Sequence, residues 1–132
     1  MREIVRSFGI LSAGVVALCV YGSAAAHHAN SAYDRTQSVT ISGTVTRWQF
    51  INPHAGLWLT VTSENGDTQE WSGEFQGTLD LYRHFNWNKD TFKPGDQITL
   101  TGFPSRDGTP NLSARIVQFS DGSEVDVRSA PD

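Results

Sequence analysis

Histidine is the side chain whose lone pairs and charge are most available near neutral pH, and this chain of 132 residues has four: His27, His28, His54 and His84. The first two stand side by side after Ser23-Ala24-Ala25-Ala26, a small-residue run of the kind that ends a secretory signal. Cleavage after Ala26 makes His27 the terminus. Its α-amine and imidazole then chelate one metal as a pair, and His54 supplies the third nitrogen of a T-shaped copper site. Cleavage after Ala25 instead gives Ala26-His27-His28, whose terminal amine, two backbone amides and His28 imidazole form a square-planar set suited to Cu(II) or Ni(II). Nitrogen donors in tetragonal geometry and the Irving–Williams order both favour copper. Zinc held by His27, His28 and His54 is a further arrangement. The plainer alternative is that the paired histidines are polar tail and that His54 caps a turn through a ring nitrogen. His84, beside Arg83, fits a solvated helix face.

Trp58 is the second candidate. Leu57, Leu59 and Val61 claim the inner face of one strand and leave this indole outside, where with Arg106 and Glu70 it would hold a sugar, a peptide or another planar group. The competing expectation is that the N-terminal arm or a second copy covers it. Asn52 in one loop and Arg106 and Asp107 in another flank the same face as ligand-binding candidates. Asp107-Gly108 and Asp121-Gly122 lack the regularly spaced oxygens of a calcium loop and read as turns. Catalysis finds little support: there is no Gly-x-Ser-x-Gly elbow, phosphate loop or metalloprotease helix, and Ser72 or Ser105 with His54 is an arbitrary pairing. No catalytic residue is assigned, and binding ranks ahead of catalysis.

What must position these groups is one small domain. Arg2 and Arg6 precede the uncharged stretch Phe8 to Gly22, which is too short to cross about 30 Å of hydrocarbon as a permanent helix. Cys19 lies inside that stretch behind Leu18, a larger residue than lipoprotein processing takes, so the expected product is a periplasmic protein with no stable membrane span. Taking 26 residues from 132 leaves 106, with no cysteine and hence neither disulfide nor thiolate site. The cut removes Arg2, Arg6 and Glu3, so Lys plus Arg falls from 10 to 8, Asp plus Glu from 14 to 13, and the net charge from −4 to −5. An acidic domain with no basic run repels nucleic acid, which leaves an envelope protein or a small ligand as the expected partner.

Residues 27–36 are polar and aperiodic, an arm that either stays mobile or docks on the domain that follows. From Val39, the residues Val39, Ile41, Gly43 and Val45 alternate with Thr and Ser, then the apolar phase shifts to Trp48 and Phe50, predicting a bulge near Thr46. Asn52-Pro53-His54 breaks the strand. Residues 57–62 and 68–75 form a hairpin around Asn65-Gly66. Thr78 to Phe85 is the one helix, with Thr78 as N-cap, Leu79, Tyr82 and Phe85 at helical spacing, and Asn86 as a left-handed stop. Residues 97–102 and 112–119 are two more strands, and Asp121-Gly122 turns into a tail. The order β-β-β-α-β-β with a long bent first strand is that of an OB-fold-like five-stranded barrel over residues 37–127, followed by a tail at 128–132. A related small barrel or a two-layer sandwich is the alternative.

Several of these segments together resemble an exported bacterial family known as domain of unknown function 6152. They are His27-His28, Tyr33-Asp34, the strand containing Gly43, Asn52-Pro53-His54, Trp71, Trp87 ahead of Lys93-Pro94-Gly95-Asp96, and Asp107-Gly108. The chain departs from that pattern at Ala29, where the family carries serine, and at Asn86, where it carries glycine. Asparagine also enters the left-handed region, so the second change is mild. The resemblance implies export and a compact β-rich domain, and no activity.

Overall fold

β1 (Val39–Gln49) is paired on both sides, and the sheet is built outward from it. Its first half, Val39 to Thr44, pairs antiparallel with β4 (Gln97–Pro104), and its second half, Thr44 to Gln49, pairs with β2 (Gly56–Thr62). The register steps between Val45 and Arg47, so Thr46 is the extra residue of a bulge, where the apolar phase of the sequence shifts. Such a strand turns a corner, and Gly43 sits at it: a Cβ there would lie 2.5 Å from the Thr60 carbonyl oxygen. The computed structural model describes residues 32–128.

β2 continues into β3 (Thr68–Glu74), and β4 into β5 (Asn111–Phe119). The barrel closes where β3 and β5 run parallel, Ser72 opposite Asn111, Gly73 opposite Leu112 and Glu74 opposite Ser113. The closed order β1-β2-β3-β5-β4 is that of an OB-fold barrel, as the element order predicts. Strand alternation sends Ile41, Val45, Leu57, Leu59, Leu100, Leu112 and Val117 into one core. Trp87, Phe75 and Phe92 fill one end of it, with Trp48 half-buried against them. Trp71 packs on the core from β3. No helix among the described residues is long and apolar enough to cross a membrane.

Three local expectations change. The segment after Asp121-Gly122 is a sixth strand, β6 (Glu124–Asp126), paired with β5, and Val127 behind it is buried. Three residues are too few to show a period. The helix α1 spans Thr78–Phe85 and ends on left-handed Asn86 (φ 56°), but its N-cap is Gly77, and Thr78 is the first helical residue. The missing side-chain cap comes from the β1–β2 loop: Asn52 Oδ1 accepts from Thr78 N and Thr78 Oγ1, each at 3.0 Å. The helix buries Leu81 and packs Phe85, four residues on, against the core, while Leu79 and Tyr82 stay exposed.

The Asn52 contact carries a prediction. Asn52→Ala removes the acceptor for an orphan helix donor and is expected to cost about 1 kcal/mol, read as a lower urea midpoint with unchanged slope. An unchanged midpoint would mean that water caps α1 equally well.

Candidate functional site

Glu74 ends β3 with its carboxylate outside the barrel, in the outward row that also holds Glu70 and Ser72. Three segments meet on it. The first is the β1–β2 loop, tied to the end of β3 by backbone bonds from Ala55 N to Gln76 O (3.1 Å) and from Phe75 N to Ala55 O (2.9 Å). These set His54 beside the carboxylate, Nδ1 to Glu74 Oε1 at 3.0 Å. The second is the arm, which docks through a bridge between Tyr33 and Ser105 and a bond from Asp34 N to Pro104 O (2.8 Å). Tyr33 is 8% exposed, and its hydroxyl lies 3.2 Å from Glu74 Oε2 and 3.1 Å from Asn111 Oδ1. The third is the start of β5, which brings in Asn111 through its pairing with Ser72.

Burial, and then the Glu74 charge, push the Tyr33 hydroxyl well above the usual phenol range, so it stays a neutral donor. Both carboxylate oxygens of Glu74 are therefore occupied. A carboxylate oxygen accepts, so the 3.0 Å contact places a proton on His54 Nδ1, and Nε2 has no hydrogen-bond partner among the described residues. Arg128 stands behind this hub and donates from Nε to Ala114 O (3.3 Å) and from Nη2 to Ser113 Oγ. Burial lowers its pKa first and Arg35 second, while Glu74 and Tyr33 oppose them.

Next to the hub is an open cleft of about 140 Å³ lined by Gln49, His54, Trp58, Ser72 and Asn111. Trp58 lies outside the barrel, half-buried, with the Arg47 side chain of the neighbouring strand over its ring. The Arg47 guanidinium carbon is 3.7 Å from the ring centre. On the same strand Gly56 leaves room for the ring, since a Cβ there would come within 2.6 Å of it.

The other sequence candidates are placed apart from this cleft. Arg106 reaches Asp34 at 3.9 Å and is largely exposed. Asp107 closes its own turn, accepting from Thr109 N (2.9 Å), Thr109 Oγ1 (2.7 Å) and Ser105 Oγ (2.7 Å). Those bonds, the Thr109 backbone first, hold its carboxyl down at about 2. Glu70 faces Thr60 in register, while Ser72 faces Trp58. Asn52 faces α1, and His84 is exposed beside the Phe85 ring. His27 and His28 lie outside the described residues. Among the described residues no three His, Cys, Asp or Glu side chains gather to hold a metal. The His54–Glu74 pair offers one free imidazole nitrogen.

Sequence reasoning missed Glu74, Tyr33 and Asn111 as members of the site. The outward register of Glu74 in β3 and the Tyr33-Asp34 pair were visible signals, but their meeting depends on the parallel β3–β5 seam.

None of the curated proteins compared with the chain matches it. A family model described as "Family of unknown function (DUF6152)" matches residues 15–113. That span takes in every element from β1 to the first residues of β5 and, with them, Tyr33, His54, Trp58, Glu74 and Asn111, so the chain belongs to the DUF6152 family.

Proposed function

We propose that this protein is an exported, non-enzymatic binding domain that takes a small polar ligand in the cleft between Trp58 and His54. The observation that carries the reading is the convergence of the arm, the β1–β2 loop and the start of β5 on Glu74. That hub fixes side chains from distant segments beside an open concavity, which is how a preformed polar site is held without a lid. The ligand meets the Gln49 amide, the Ser72 hydroxyl, the Asn111 amide, the lone pair of His54 and the rim of the Trp58–Arg47 stack. Its volume suits a single sugar, an amino acid or a short organic acid.

A thermal-shift screen of those three compound classes at millimolar concentration tests this. One class is expected to raise the midpoint, and Trp58→Ala and Asn111→Ala to abolish the shift. No shift from any class, or a shift that survives both substitutions, would refute the cleft as the binding site.

A second reading, copper binding, is favoured by one specific contact. A metal-ligating histidine characteristically donates its other ring nitrogen to a carboxylate, as His54 does to Glu74. The missing nitrogens would come from His27 or His28. Four residues lie between His28 and Tyr33, and the five steps along the chain give a reach of roughly 17 Å from the segment already on Glu74. The test is a Cu(II) titration of untagged protein whose N-terminal residue is known from intact mass, beside His54→Ala. If His54 is a ligand, the variant is expected to bind copper at least about tenfold more weakly. Equal affinity would assign the metal to the terminus alone.

A further inference from the structure

Three large hydrophobic side chains are exposed among the described residues: Ile51 (54%), Leu79 (54%) and Tyr82 (56%). They share one end of the barrel, because Asn52, next to Ile51, is hydrogen-bonded to Thr78, next to Leu79. On α1 the fully buried Leu81 fixes the inward direction, and at about 100° per residue Leu79 and Arg83 point away from it, with Tyr82 and Asp80 on the two flanks. Asp80 is in the first turn and Arg83 in the last, both exposed, and neither is in an ion pair among the described residues.

We propose that the outer face of α1 is the contact surface for a second copy of this chain. The two helices pack antiparallel across a two-fold axis, with Leu79 near the centre, Tyr82 against the partner's Leu79 along one flank, Ile51 at the rim, and Asp80 facing the partner's Arg83 along the other flank. The charge pattern selects this occupant. A short helix that is acidic at its start and basic at its end complements itself when reversed, which is what a two-fold axis does to it, and each ion pair is then made twice. Reversed helix dipoles lying side by side also attract, the positive end of each beside the negative end of the other. Three apolar side chains with a polar rim make an interface at the small end of specific contacts, so the dimer is reversible and forms toward millimolar concentration.

Sedimentation equilibrium from micromolar to millimolar protein tests this, with circular dichroism as the check that each variant is folded. The wild type is expected to pass from monomer to dimer. Leu79→Glu should remain monomeric throughout. Asp80→Arg and Arg83→Asp should each weaken the dimer about tenfold, since one reversal makes two repulsive contacts, and the double swap should restore it. A monomer at every concentration, or a dimer indifferent to Leu79→Glu, would overturn the proposal. So would a double swap no better than the singles, or a dimer lost in Trp58→Ala, which would put the contact on the β2 face.

Discussion

Replacing Trp87 with alanine is expected to cost roughly 3–5 kcal/mol of folding stability. The indole is 5% exposed and stands at the centre of the rings that close the α1 end of the barrel. Phe92 meets it at 5.1 Å between centroids, Phe75 at 5.7 Å, Phe85 at 5.8 Å, Phe119 at 6.2 Å and Trp48 at 6.3 Å. The Phe92, Phe75, Phe119 and Trp48 contacts are edge-to-face, the arrangement that adds quadrupole attraction to area burial. Those neighbours come from β1, the end of β3, α1, the loop before β4 and the end of β5. No single shift of an element can fill the space, so most of the cavity cost remains. Small domains hold about 5–15 kcal/mol in total, and the variant should melt many degrees lower and be partly unfolded when warm. Trp87→Phe keeps an aromatic edge in place and should lose about half as much. Urea midpoints of the two variants measure both numbers. An alanine variant within about 1 kcal/mol of wild type would show that the ring cluster collapses freely and does not organise the barrel end.

Much of the fold was legible because it is written in local alternation. Val39, Ile41 and Val45 mark β1, the shift to Trp48 and Phe50 marks the bulge, and Asn86 marks the end of α1. The element order then leaves few ways to close a barrel. What was hidden depends on how elements meet. Simple register would put Thr46 opposite Trp58, but the bulge moves Arg47 there, and only then does the guanidinium cover the indole. The cap of α1 arrives from Asn52, 26 residues upstream, so the helix sequence carries no sign of it. The site follows the same logic at longer range. Tyr33 is 41 residues from Glu74 and 78 from Asn111, and the β3–β5 seam that joins them is three residue pairs long. His54 stood out as a chemical type. Glu74, its partner, has nothing local to set it apart from Glu70 and Ser72, the other outward residues of β3.

Glu74→Gln and Glu74→Ala are expected to behave differently, and the difference isolates what the carboxylate does. A glutamine can keep every hydrogen bond of the hub. Its carbonyl accepts from His54 Nδ1, its amide donates to the Tyr33 oxygen, and the Tyr33 proton goes to Asn111 Oδ1. Only the charge is lost, so stability should stay within about 0.5 kcal/mol of wild type. Alanine removes the acceptor itself. Buried Tyr33 keeps Asn111 alone, His54 keeps nothing, and the loss should be about 1–2 kcal/mol. The sharper readout is the imidazole. In wild type and Glu74→Gln the nitrogen spectrum of His54 should show the neutral ring protonated at Nδ1, because a carbonyl or carboxylate waits there. In Glu74→Ala the proton should move to Nε2, the form a free histidine side chain prefers, and the lone pair leaves the position from which a ligand or metal would be met. If copper binds through His54, affinity should fall about 10- to 100-fold in the alanine variant and much less in the glutamine one. A wild-type ring already protonated at Nε2 would contradict the His54–Glu74 contact as the device that aims this nitrogen, whatever the cleft turns out to hold.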